Sequence, residues 1–112
     1  MGDRALIQLK CKQEVSPVLY MHWGGSYVGD IIKRTKARMA SRHEIDYAFA
    51  RLVQEAISDS PGDAGFGVWN QVELLTEGDS HDDAGCFVVD ISSPEWPVTC
   101  FGGYGLADDE ER

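Results

Sequence analysis

Long apolar runs are missing from these 112 residues. No stretch approaches the ~20 residues a membrane helix needs, because Asp, Lys, Gly or His interrupts each one. Neither a membrane span nor a signal peptide is expected, since Met1-Gly2-Asp3-Arg4 leads into an alternating segment. Gly2 lacks the Ser or Thr that an acylation pattern wants, Leu6 standing there instead. Cysteine is scarce too. Cys11, Cys86 and Cys100 are odd in number and far apart, with no C-x-x-C and no zinc-ligand spacing, so reduced thiols are expected. A phosphate-loop lysine is absent, and the glycines at 62, 65 and 67 have the wrong order for a dinucleotide fingerprint. His81-Asp82-Asp83 lacks the Gly and terminal Glu of a calcium loop. No cofactor and no catalytic role are therefore expected.

The scarcest feature is positive charge in the second half. Residues 1–72 hold nine basic and eight acidic side chains, whereas residues 73–112 hold eleven acidic ones and only Arg112, for a total of −9. Nucleic-acid binding needs cations to displace the phosphate counterions, and membrane surfaces are anionic as well. Both are disfavoured as direct partners, and a basic partner is favoured. One contrary patch exists: Lys33, Arg34, Lys36, Arg38 and Arg42 gather half of the basic residues within ten positions. It reads as a solvated helix face, or as one pole of a dipolar molecule.

Enough apolar residues are present, at 43%, for a core. Ile7, Leu9 and Cys11 alternate with Gln8, Lys10 and Lys12, which predicts a half-buried strand. A turn over 13–17 and a returning strand over 18–23 follow, ended by Gly24-Gly25. A first helix, capped by Ser26 or Asp30, has its apolar side at Val28, Ile31, Ile32, Thr35 and Met39. Ser41-Arg42-His43-Glu44 reads as a capping box. It opens a second helix whose stripe is Ile45, Ala48, Phe49, Leu52, Val53, Ala56 and Ile57, stopped by Pro61-Gly62. Strands are expected over 65–75, over 86–91 as a central strand, and over 98–101 at an edge.

The expected fold is α+β: an antiparallel sheet of four or five strands in the order ββααββ(β), with both helices on one face. Residues 1–107 form a single domain and 108–112 an acidic tail. Tyr20 and Trp23 read first as core aromatics at a strand end, or else as anchors of a contact patch. Trp96, set between Glu95 and Pro97, is expected as an exposed anchor, since Trp is frequent among interface hot spots. Cys86 with His81 offers a nucleophile and base only as a remote reading, because a Cys entering a central strand is usually core.

In overall character (small, acidic, α+β, with the Tyr20–Gly25 strand end and an acidic C-terminal half) the chain resembles the accessory proteins of phages and mobile elements. Among these it is similar in kind to anti-CRISPR and other anti-defence inhibitors. No residue is carried over by position. The resemblance implies a cytoplasmic, non-enzymatic inhibitor, monomeric or dimeric, that engages a basic host protein or ribonucleoprotein and blocks its nucleic-acid site with carboxylates in place of phosphates. Glu73, Glu77, Asp79, Asp82, Asp83, Asp90 and Glu95, with Trp96 as anchor, are the candidate binding residues. The alternatives are a small subunit of a larger complex and, behind it, a small-molecule-binding domain.

Overall fold

The computed structural model describes residues 3–39, 42–59 and 65–105. Strands β1 (Ala5–Cys11) and β2 (Glu14–Met21) form a hairpin. Helices α1 (Val28–Met39) and α2 (Ile45–Asp59) follow. Then come β3 (Phe66–Trp69), β4 (Gly85–Asp90) and β5 (Val98–Phe101). The five strands make one sheet in the order β3-β2-β1-β4-β5.

The element order is the one expected, but the sheet is mixed. β1 and β4 run parallel, Ala5 beside Gly85 through Lys10 beside Asp90, while the other three pairings are antiparallel. The strands expected over 65–75 and 86–91 are not neighbours in the sheet, so no hairpin joins them. β3 is antiparallel to β2 and β2 to β1, so β3 and β4 point the same way and require a crossover rather than a tight turn. Residues 70–84 supply it. β3 accordingly stops at Trp69 instead of running to Leu75, because there the chain leaves the sheet's edge. The first hairpin is tighter than expected: Lys12, at φ 58°, and Gln13 make the turn, and β2 begins at Glu14.

Alternation divides the strands between two cores. Ile7 and Leu9 of β1, Leu19 and Met21 of β2, and Phe87 and Val89 of β4 point to one side, where both helices pack. All five residues expected on the apolar side of α1 are buried there, as are Ile45, Ala48, Phe49, Leu52 and Ala56 of α2. Ile57 departs from the expected stripe at 46% exposure. Leu6, Val18, Cys86 and Val88 point to the other side and are buried with Leu75 of the crossover.

The caps differ in detail. Before α1 lies a short 3₁₀ turn, Gly25–Tyr27, and Ser26 bonds Asp3 rather than capping α1. The first helical bond of α2 runs from the Ala48 amide to the Glu44 carbonyl, so α2 starts three residues beyond the expected position. Ser41 of the expected capping box, the Pro61-Gly62 stop and the 108–112 tail lie outside the described residues. Gly85 is obligatory: its φ is 101° and a Cβ would stand 2.5 Å from the Phe101 carbonyl oxygen.

Candidate partner-binding face

The face opposite the helices is built on Gln8. In an alternating strand this position reads as solvent-facing, yet Gln8 is fully buried. Its Nε2 donates to the carbonyls of Ser16 (3.2 Å) and Glu73 (3.1 Å), and its Oε1 accepts from the Leu75 amide (2.9 Å). One side-chain amide thus replaces the ladder bonds that residues 73–75 would have made in a strand. It fastens the crossover over β1, and the Leu75 side chain closes the small core below.

Further along, Glu77–Asp79 forms a 3₁₀ turn. The Asp79 carboxylate accepts from the Thr76 amide (2.8 Å) and the Thr76 hydroxyl (3.3 Å). Ser80 donates to the Gly102 carbonyl and accepts from the Asp82 amide (2.9 Å). Asp83 is committed inward: its Oδ2 accepts from Arg4 Nε (2.7 Å) and the Arg4 amide (3.1 Å). The guanidinium bond holds the Asp83 carboxyl below its ordinary range and raises Arg4.

The expected binding residues therefore separate into three sets. Glu73, Glu77, Asp79 and Asp82 are exposed on a single crossover held from beneath. Asp83 is taken by Arg4. Asp90 and Glu95 lie at the opposite end of β4, about 17 Å from Gly85 at strand rise. Asp90 is half-buried, and bonds from the Ser92 hydroxyl (2.5 Å) and amide (3.0 Å) keep its carboxyl low. Asp90 nonetheless lines a cleft with Leu74 and Leu75 of the crossover, so the end of β4 adjoins that segment.

Trp96 corrects the expectation of an exposed anchor. Its ring is only 7% exposed and joins the helix-side core. The Trp96 amide bonds the Ser93 carbonyl (3.1 Å), and the residue takes φ 53°, so the turn between the two prolines folds back over the end of the core. The reverse holds at Trp23, expected inside and 49% exposed. Tyr20 is half-buried, shares a hydrogen bond with His22 Nδ1 (2.7 Å) and meets the His81 ring edge-to-face at 5.5 Å between centroids. The exposed apolar groups instead cluster along the chain at the start of the crossover: Val68 (53%), Trp69 (40%), Val72 (84%) and Leu74 (40%). Beside Leu74, an open cleft of about 250 Å³ is lined by Lys10, Leu75, Val88, Asp90 and Phe101.

The basic run of α1 is partly used within the protein. Arg34 and Arg38 both bond Glu55 of α2, Arg34 at 2.9 Å, and Glu55 is 5% exposed. These bonds, Arg34 first, hold its carboxyl below the usual range against the opposing effect of burial. Arg42 and Arg51 lie over the Tyr47 ring at 4.0 and 4.5 Å.

Cys86 is buried, its Sγ 3.6 Å from the Thr76 carbonyl, and burial pushes the thiol up to about 11. A thiol held protonated is a poor nucleophile. Among the described residues no three His, Cys, Asp or Glu side chains converge to hold a metal ion, and no helix is long and apolar enough to cross a membrane. No protein-family model, curated protein or solved structure is found to match the chain.

Proposed function

We propose that this protein is a binding module whose crossover, residues 70–82, docks on a basic surface of a partner and keeps nucleic acid from it. The observation that carries this reading is the exposure of Glu73, Glu77, Asp79 and Asp82 on one pinned segment, with Val68, Trp69, Val72 and Leu74 exposed at its start. Carboxylates fixed by the fold approach a basic surface without an ordering cost, and apolar neighbours add area that charge alone does not. A cytoplasmic inhibitor of a host ribonucleoprotein is the setting in which such a face has an evident use.

The test is capture of partners from a bacterial lysate at low and then high salt, with wild type beside a Glu73→Lys/Glu77→Lys variant, which leaves the Asp79 contacts in place. Release of a nucleic-acid-binding protein by salt, and its absence from the variant, supports the reading. Equal retention by both proteins overturns it. A salt-resistant partner lost on Trp69→Ser and Val72→Ser would instead favour a subunit of a larger complex, the reading suggested by the apolar residues alone.

A further inference from the structure

The acidic crossover begins where β3 ends, and β3 is an edge strand with β2 on one side only. The His22 amide bonds the Gly65 carbonyl at 3.0 Å. In an antiparallel pair, hydrogen-bonded and non-bonded positions alternate. His22–Gly65 is therefore a bonded pair, as are Tyr20–Gly67 and Val18–Trp69 in the same register. The amides and carbonyls of Phe66 and Val68 consequently point away from β2, to the outside of the sheet. Among the described residues no other backbone group bonds to them.

Edges of this kind are usually blunted by Lys, Pro or a covering segment. β3, Phe66-Gly67-Val68-Trp69, has none of the first two. At the other edge of the sheet, Gly105 lies against Cys100 of β5. The chain that runs on from β3 carries one sign of charge: residues 65–105 contain no Lys or Arg, and the exposed acids of the crossover begin at Glu73.

We infer that the outer edge of β3 takes up an extended segment of the partner as a sixth strand, apolar toward Val68 and cationic toward the crossover. This rests on the binding-module reading and specifies how the partner is held. Main-chain bonds from Phe66 and Val68 supply register, and alternate side chains supply selectivity. A second copy of this chain is a poorer occupant, because two molecules of charge −9 repel.

The test uses amide NMR of the whole chain with a short peptide alternating valine and lysine, and with its glutamate counterpart as control. The lysine peptide should shift the Phe66 and Val68 amides and slow their exchange, leaving Gly67 and Trp69, already bonded to β2, little changed. Val68→Pro removes the outward N–H while sparing the β2 bonds, which an edge tolerates. It should weaken peptide binding roughly tenfold, the equivalent of one main-chain bond. Should Val68→Pro fail to fold, Val68→Lys keeps every main-chain group and places a repelling cation on the edge, with the same loss expected.

Shifts confined to residues 73–82, an absence of peptide binding, or a dimer without peptide that Val68→Pro abolishes would each overturn the edge assignment. None of these outcomes depends on the lysate capture. The reversal of Glu73 and Glu77 therefore separates failure of the acidic-face reading from failure of the edge.

Discussion

The two faces of the sheet are held by different physics. On the helix side, side chains from five strands and two helices interlock in an apolar core that includes Phe87, Leu9, Leu19, Met21, Ile31 and Leu52, all below 2% exposure. On the other side a crossover without regular strand structure lies over Leu6, Val18, Cys86 and Val88, with Leu75 closing that core and polar contacts at Gln8, Asp79 and the Arg4–Asp83 pair. Residues 28–59 carry six basic and five acidic side chains, whereas residues 70–84 carry five acids and no Lys or Arg. A packed face conceals its chemistry, and a pinned loop displays it.

Substitutions on each face should separate these roles. Phe87→Ala opens a cavity in the helix-side core and should cost about 3–5 kcal/mol, lowering the urea midpoint for every probe together. Gln8→Ala should cost about 2–3 kcal/mol, since the Leu75 amide and the Glu73 and Ser16 carbonyls lose a buried partner. Its signature is local, with hydrogen exchange at residues 73–76 rising well before exchange in β1. Exchange rising equally in both would mean that the two faces unfold as one.

Glu55→Gln should cost about 2 kcal/mol, less than the 3–5 of a fully buried pair because Arg34 and Arg38 are 40% and 51% exposed. The contribution of Glu55 carries a pH signature. A carboxyl held low in the folded state stabilises fully above the unfolded value of about 4.3 and loses that contribution as pH falls through the folded value. Wild type should lose stability steeply below about pH 4, and Glu55→Gln should show a shallower slope in the same acid titration. The smallest effect belongs to Glu73→Lys on the displayed face. Its unfolding curve should overlay that of wild type while partner capture weakens, and a shifted curve would make Glu73 a structural residue.

The helix side was largely legible from the chain. Three- and four-residue spacing marks α1 and α2, and the apolar run Cys86–Val89 marks β4 as interior, flanked by β1 and β5. The crossover was not legible. Residues 70–75 have strand-like composition, and nothing local says that the chain departs at Trp69. There Gln8, distant in sequence, takes the bonds of Glu73 and Leu75 that a longer β3 would have used in a ladder. Trp96 was misread for a related reason: a ring flanked by prolines looks exposed until the turn is seen to fold inward at a positive φ. Of the candidate site, the four acids of the crossover were found from charge alone. The exposed edge was not, because which amides face outward is a matter of pairing parity rather than residue type.

The seam between β1 and β4 joins residue 5 to residue 85. The hairpin and both helices are complete by residue 59, so as the chain leaves the ribosome much of its packed side exists while β1, paired with β2, still lacks its second neighbour β4 and the core lacks Phe87. Contacts between residues so distant in sequence form slowly. Assembly then has a direction, with Ile7 and Leu19 meeting early and the Leu75 latch closing last. Pulse-labelled exchange should find protection at Leu19 ahead of protection at Leu75. A nascent or heat-stressed chain would lose its charged face first while keeping its helices.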